Sequence, residues 1–194
     1  LDPFDPSDAD QDLDDDGWDF DRNGTIEHWE KFTNYDEYLN STDPRNNDTD
    51  GDGMPDGWEG YYGLNPNYAD DKDWDNDSDG YDSDRDGELS PDWKFTNDEE
   101  FLADSNPCRA DTDGDNCTDG WEIYWNEHKP ANEARTLDPL DGIDGFLDYD
   151  NDGWEDWNGL WHDFPNWREE EAMTDPWDAD SDDDGMSDGY EADN

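Results

Sequence analysis

The chain has 194 residues, 63 of them Asp or Glu against 10 Lys or Arg, for a formal net charge of −53. Such a surface repels phosphate, which excludes DNA, RNA and anionic membranes as partners, and no apolar stretch approaches the roughly 18 residues of a membrane span. Hydrophobic residues are only 28%, the range of disordered chains, yet an aromatic content of 14% with 12 Trp contradicts disorder, so something other than an apolar core must order the chain.

The acidic residues recur two apart. From the N-terminus, Asp8, Asp10, Asp12, Asp14 and Asp16 run into Asp19, Asp21, Asn23, Glu27 and Glu30, with Gly24 at the turn. Next come Asp48, Asp50, Asp52, Asp56 and Glu59 with Gly53, then Asp75, Asp77 and Asp79 leading directly into Asp82, Asp84 and Asp86. Asp111, Asp113, Asp115, Asp119 and Glu122 follow, with Asn116 in place of the glycine. Asp148, Asp150, Asp152 and Asp156 precede the last set, Asp180, Asp182, Asp184, Asp188 and Glu191 with Gly185.

Carboxylates at this spacing in a curled backbone converge on one centre, and like charges about 4–5 Å apart repel by roughly 3–4 kcal/mol per pair at an effective dielectric near 20. A sequence that repeats the arrangement is destabilised unless it binds cations. The sets beginning at Asp19, Asp48, Asp111 and Asp180 follow the twelve-residue calcium pattern, with oxygen ligands at positions 1, 3, 5, 7 and 9 and a Glu at 12. The runs 12–16, 75–86 and 148–156 lack that Glu, so their Asp residues would share or bridge ions. An all-oxygen ligand set on a flexible, glycine-rich backbone suits Ca²⁺, on the order of 6–10 ions in total. Zinc and copper would want Cys or His, and His28, His128 and His162 are isolated.

The loops sit in an internal repeat. Residues 12–59 align with 75–122 without a gap, at a shift of 63 residues from Asp12 to Asp75, and a third, divergent copy begins at Asp148. Units open at Leu-Asx-Pro (Leu1-Asp2-Pro3, Leu64-Asn65-Pro66, Leu137-Asp138-Pro139), which divides the chain into calcium-binding repeats 1–63, 64–136 and 137–194. The expected fold has little regular secondary structure: an elongated tandem repeat of calcium-wrapped loops with short α-helices. Asn34 with Glu37, and Asn97 with Glu100, have capping-box spacing; Pro55 suits a first helical turn, and Gly63-Leu64 a helix stop. Trp58, Trp121, Phe32 and Phe95 are expected to fill gaps between loops. The last residues stop where a fourth unit would begin, so either flanking sequence is missing or the ends meet head to tail.

The run Asp-Thr-Asp-Gly-Asp-Gly at 48–53, followed by Pro-Asp-Gly-Trp-Glu at 55–59 and preceded by Glu-Tyr-Leu-Asn-Ser-Thr-Asp-Pro at 37–44, resembles the thrombospondin type 3 repeats of secreted bacterial and archaeal proteins. The likeness covers nearly the whole chain and is weakest at 153–173. It implies an extracellular, non-enzymatic calcium-binding structural module, often a spacer or stalk, and the matched ends add the repeating subunit of a surface filament as an expectation. The expected partners are then further copies of the chain, head to tail, or flanking domains. No Ser/His/Asp arrangement, phosphate loop or unusual acidic pair stands out as catalytic. The alternative function is adhesion to carbohydrate or protein through the Trp-rich segment 154–167 (Trp154, Trp157, Trp161, Trp167). In a secreted setting Cys108 and Cys117, which flank the Asp111 loop, are expected to form a disulfide, two thiols being the other reading. Asn40 and Asn47 lie in Asn-x-Ser/Thr patterns and are the candidate glycan sites.

Overall fold

The structure is a computed structural model that describes residues 1, 5–82, 94–155 and 158–194. Among these, helices α1 (Asn34–Asn40), α2 (Asp56–Tyr62), α3 (Asn97–Ala103), α4 (Asp119–His128), α5 (Asn166–Ala172) and α6 (Asp188–Asp193) are joined by loops and short 3-10 turns. Strands β1 (Trp154–Glu155) and β2 (Trp161–His162) pair antiparallel, Trp154 opposite His162. The fold is thus one of short helices and loops, little regular in structure. No helix among the described residues is long and apolar enough to cross a membrane.

Helix ends follow local chemistry. The capping box of α1 uses Thr33 and Asp36, whose carboxylate accepts from the Thr33 amide at 2.9 Å, and not Asn34 and Glu37 as the spacing suggested. Thr96 and Glu99 make the same contact at α3, also 2.9 Å. The boxes sit one residue early because Thr is the better placed hydroxyl acceptor, which leaves Asn34 and Glu37 inside the helix and buried. Pro55 is the cap of α2, just before the first helical residue where it was expected. Gly63, at φ 78°, ends that helix in the left-handed conformation, and the Leu64 amide donates back to Glu59 O at 2.9 Å.

The described residues form two compact units, Leu1–Trp74 with Thr96–Phe101, and Asp75–Phe95 with Leu102–Asn194. In the first, Trp58 is fully buried, edge-on to Tyr62 (5.0 Å) and Phe101 (5.3 Å). In the second, Cys117, Trp121, Leu137 and Tyr149 form the apolar cluster. Trp58, Trp121, Phe32 and Phe95, expected to fill gaps between loops, are all buried.

Three contacts recur at matched positions. Phe32, Phe95 and Phe164 each lie against a helical glycine, Gly57, Gly120 and Gly189, so closely that an added Cβ would stand 2.9, 2.9 and 2.8 Å from the Phe Cβ. The amides of Asn34, Asn97 and Asn166 donate to the carbonyls of Gln11 (2.7 Å), Trp74 (2.8 Å) and Leu147 (2.8 Å). Their side-chain amides donate to the carbonyls of Asp8, Asp71 (2.7 Å) and Asp144 (2.7 Å).

The expected disulfide is not formed. Cys117 is buried against Trp121, Leu137 and Tyr149, its amide donating to Asp115 Oδ1 at 3.0 Å, while Cys108 is exposed. The apolar packing and the loop turn fix Cys117 with its thiol in the core.

Candidate metal centres

In the twelve-residue loops the first Asp accepts backbone amides across the turn. Asp19 takes Asn23 (3.0 Å) and Gly24 (2.6 Å); Asp48 takes Gly51 (2.7 Å), Asp52 (3.2 Å) and Gly53 (3.1 Å). Asp111 takes Gly114 (2.6 Å) and Asn116 (3.2 Å); Asp180 takes Asp184 (3.1 Å) and Gly185 (2.8 Å). Gly53 at φ 108° and Asn116 at φ 78° show why the turning position holds these two residue types. The turn brings Asp48, Asp50 and Asp52 together, and Asp19, Asp21 and Glu30, each set with carboxylate oxygens within 4.8 Å of one another. Glu30 also accepts from the amides of Asp21 (3.3 Å) and Glu27 (2.9 Å), closing its loop.

Glu59 and Glu122 stand in the first turns of α2 and α4 and are fully buried; Glu191, in α6, is exposed. Burial first, then Asp52 and Asp50, pushes Glu59 up to about 9, and burial with Asp144 and Asp115 pushes Glu122 up to about 11. Two residues outside the predicted loops join them. Asp71, in a 3-10 turn (Asp71–Asp73), lies within 4.8 Å of Asp52 and Glu59. Asp144, in the turn Asp144–Phe146, contacts Asp115. Asp71 accepts from the Asn65 amide (3.0 Å) and Asp144 from the Asp138 amide (2.8 Å), which leaves the other carboxylate oxygen of each buried without a hydrogen bond.

Asp56, Asp119 and Asp188 hold both carboxylate oxygens against the hydroxyl residue at the second loop position. Asp56 accepts from Thr49, Asp119 from Thr112 and Asp188 from Ser181, the hydroxyl distance being 2.7 Å in each. They also face the shorter Asp runs. Asp56 lies within 4.8 Å of Asp16 and Glu37, all three buried. Asp16 is pushed up to about 8 by burial and then by Asp14, Asp12, Glu37 and Asp56; Glu37 reaches about 8 through burial, Asp14 and Asp56. Among the described residues no Lys or Arg forms an ion pair with Asp16, Glu37 or Asp56.

Asp12, Asp14 and Asp16 form a further group within the same span. Asp77 and Asp79 are raised by burial and by their neighbours in the run Asp75–Asp79, and Asp79 accepts from the Gly120 amide at 3.0 Å. Asp150 is pushed up to about 8 by burial, Asp152, Asp148 and Asp188, and Asp152 accepts from Gly189 at 2.5 Å. Asp82 is half-buried. Asp84, Asp86, Asp156 and Trp157 lie outside the described residues.

These donors fit a hard divalent cation. They are all oxygen and flexible in number, the requirement of calcium with its 6–8 oxygen ligands. Buried carboxylates of one sign without basic partners are costly, and a cation removes the cost.

Of the aromatic segment, Trp154 stacks on His162 (4.6 Å) and donates to Asp193 (3.1 Å), while Trp161 is 52% exposed. Asn40 and Asn47 are both exposed.

No protein family, curated protein or solved structure matches this chain.

Proposed function

We propose that the chain is a non-enzymatic, extracellular calcium-binding structural module, a calcium-rigidified spacer or the repeating subunit of a surface filament. The observation that carries this reading is two groups of carboxylates, Asp16–Glu37–Asp56, all buried, and Glu59–Asp71, buried beside the half-buried Asp52, with no ion pair to a Lys or Arg among the described residues. Structural use of each conspicuous acid leaves none set apart for catalysis. The three matched Phe–Gly contacts support a tandem repeat, and the resemblance to thrombospondin type 3 repeats supports calcium and an extracellular setting. Because the ligands must be ionised and are brought together only by folding, ion binding and folding are one event. A repeat held by ions becomes stiff in millimolar calcium and loses its order without it.

Metal analysis of the purified protein tests the reading, with several calcium ions per chain expected. Chelation at neutral pH should abolish the near-ultraviolet dichroism of Trp58 and Trp121. A metal-free protein with an unchanged spectrum overturns it.

A further inference from the structure

We propose that Asp16, Glu37 and Asp56, with Asp12, Asp14 and the side-chain oxygen of Asn34, form a calcium-sized cation site separate from the twelve-residue loops. The inference rests on the calcium reading above and assigns it ligands that no loop pattern contains.

Glu37 is 0% exposed, and neither of its carboxylate oxygens has a hydrogen-bond partner. Its oxygen lies within 4.8 Å of those of Asp16 and Asp56. The N-terminal capping of α1 is carried by Thr33 and Asp36, so the Glu37 carboxylate has no part in it. Asn34 lies one turn earlier on the same helix face. Its side-chain NH₂ is committed to the Asp8 carbonyl, and its buried side-chain oxygen accepts nothing. Asp56 is oriented by Thr49, but a carboxylate has about four lone-pair sites and two hydrogen bonds leave the rest available. Six oxygen-bearing side chains, with Glu37 able to bind through both oxygens, meet the coordination of calcium, whereas magnesium would retain its waters.

The same set recurs in the second unit. Glu169 is 1% exposed and, unlike Glu37, accepts from the Thr174 hydroxyl through one oxygen; Asp150, Asp152 and Asp188 are the charges acting on it. Asn166, one turn before it, again donates its NH₂, here to Asp144, and leaves its oxygen buried and unmatched. The twelve-residue loops draw their ligands from consecutive residues, joined at Glu59 and Glu122 by one Asp of a following turn. This site instead draws ligands from an Asp run, the helix after it and the first residue of the next helix, so one cation pins three segments. The competing account keeps the buried carboxyls protonated, with no ion.

Ion counting on the full chain separates the two. Wild type, Glu37→Gln, Glu169→Gln and the double variant are dialysed against calcium, and bound metal is measured, with near-ultraviolet dichroism as the check on folding. Each single variant should lose one calcium per chain and the double variant two. Variants that fold and bind the wild-type number with unchanged affinity overturn the inference and leave the loops' calcium reading intact. A wild type that binds no calcium overturns that reading itself, and this inference with it. Terbium-soaked wild-type crystals decide the matter without any variant. An anomalous peak among Asp16, Glu37 and Asp56 is expected, and peaks confined to the twelve-residue loops refute the site.

Discussion

The Thr49 hydroxyl donates to Asp56 Oδ2 at 2.7 Å while the Thr49 amide donates to Oδ1 at 2.8 Å. The same oxygen of Thr49 accepts from the Asp43 amide at 3.0 Å, so one hydroxyl joins a loop, a helix start and the segment before them. Thr112 and Ser181 do the same for Asn106 and Asp175. Thr49→Val keeps the shape and strands two polar groups, which should cost about 1–3 kcal/mol, whereas Thr49→Ser should stay near wild type. Urea unfolding in saturating calcium measures both, and equal midpoints for Val and wild type contradict the assignment.

The sequence displays the loops because their candidate ligands are closely spaced and their turn needs Gly or Asn. It hides candidate ligands supplied from elsewhere. The spacing of Glu37 from Asn34 suits a capping box, and only the preceding Thr33–Asp36 pair shows the helix capped without it. The clue was the Asn-x-x-Glu pattern, which recurs at Asn34, Asn97 and Asn166 although the third copy has no twelve-residue loop at that place. Asp71 and Asp144 were invisible because they belong to the opening of the following repeat and reach back to Glu59 and Glu122 through a 3-10 turn. Register between repeats gives no sign of such reach. The spacing of Cys108 and Cys117 carries no information about burial, so it does not reveal that Cys117 faces the core while Cys108 is exposed.

Gly57 sits on a buried helix, where Ala normally gains about 1 kcal/mol. Here an added Cβ would stand 2.9 Å from Phe32 Cβ and closer still to the Asp16 carbonyl, and backbone cannot yield as a flexible side chain does. Gly57→Ala should therefore destabilise by about 1–3 kcal/mol, the cost of overpacking, and weaken calcium binding by displacing Asp16 from Asp56. Calorimetric titration of the variant checks this; a midpoint above wild type would show that α2 can shift freely.

Tryptophans divide by burial. Trp58→Ala removes a side chain that is 0% exposed and packed on Tyr62 and Phe101, and should cost about 3–5 kcal/mol. Trp161→Ala removes one that is 52% exposed and should stay within about 0.5 kcal/mol. Denaturant unfolding of the two variants in calcium should separate them clearly, and similar losses would contradict the packing.

Absence of a Cys108–Cys117 bridge makes stability independent of redox state. Reductant should leave the unfolding midpoint in calcium unchanged. A thiol reagent should label Cys108 in the native protein and Cys117 only after unfolding, since burial and the nearby Asp115 and Glu122 hold the Cys117 thiol well above its ordinary range. Mass mapping identifies the labelled residue, and a protein with no reactive thiol before reduction contradicts the unbridged pair.

Acid should have opposite effects on the metal-free and calcium-loaded forms. Burial, followed by neighbouring carboxylates, pushes Asp16 and Glu37 up to about 8, Glu59 up to about 9 and Asp52 up to about 6. In the unfolded chain such groups titrate near 4, so between about pH 4 and 9 the metal-free fold binds more protons than the unfolded chain. Its stability is therefore full below that window and is lost as pH rises through it. Calcium requires the same groups ionised, so its binding releases protons and its affinity rises with pH. Metal-stripped protein should thus show at pH 5 a near-ultraviolet dichroism that it lacks at pH 8. Calcium added near pH 6.5 in weak buffer should acidify the solution. Metal-free dichroism that grows from pH 5 to pH 8, or calcium binding without proton release, would mean that these carboxylates are already ionised inside the fold.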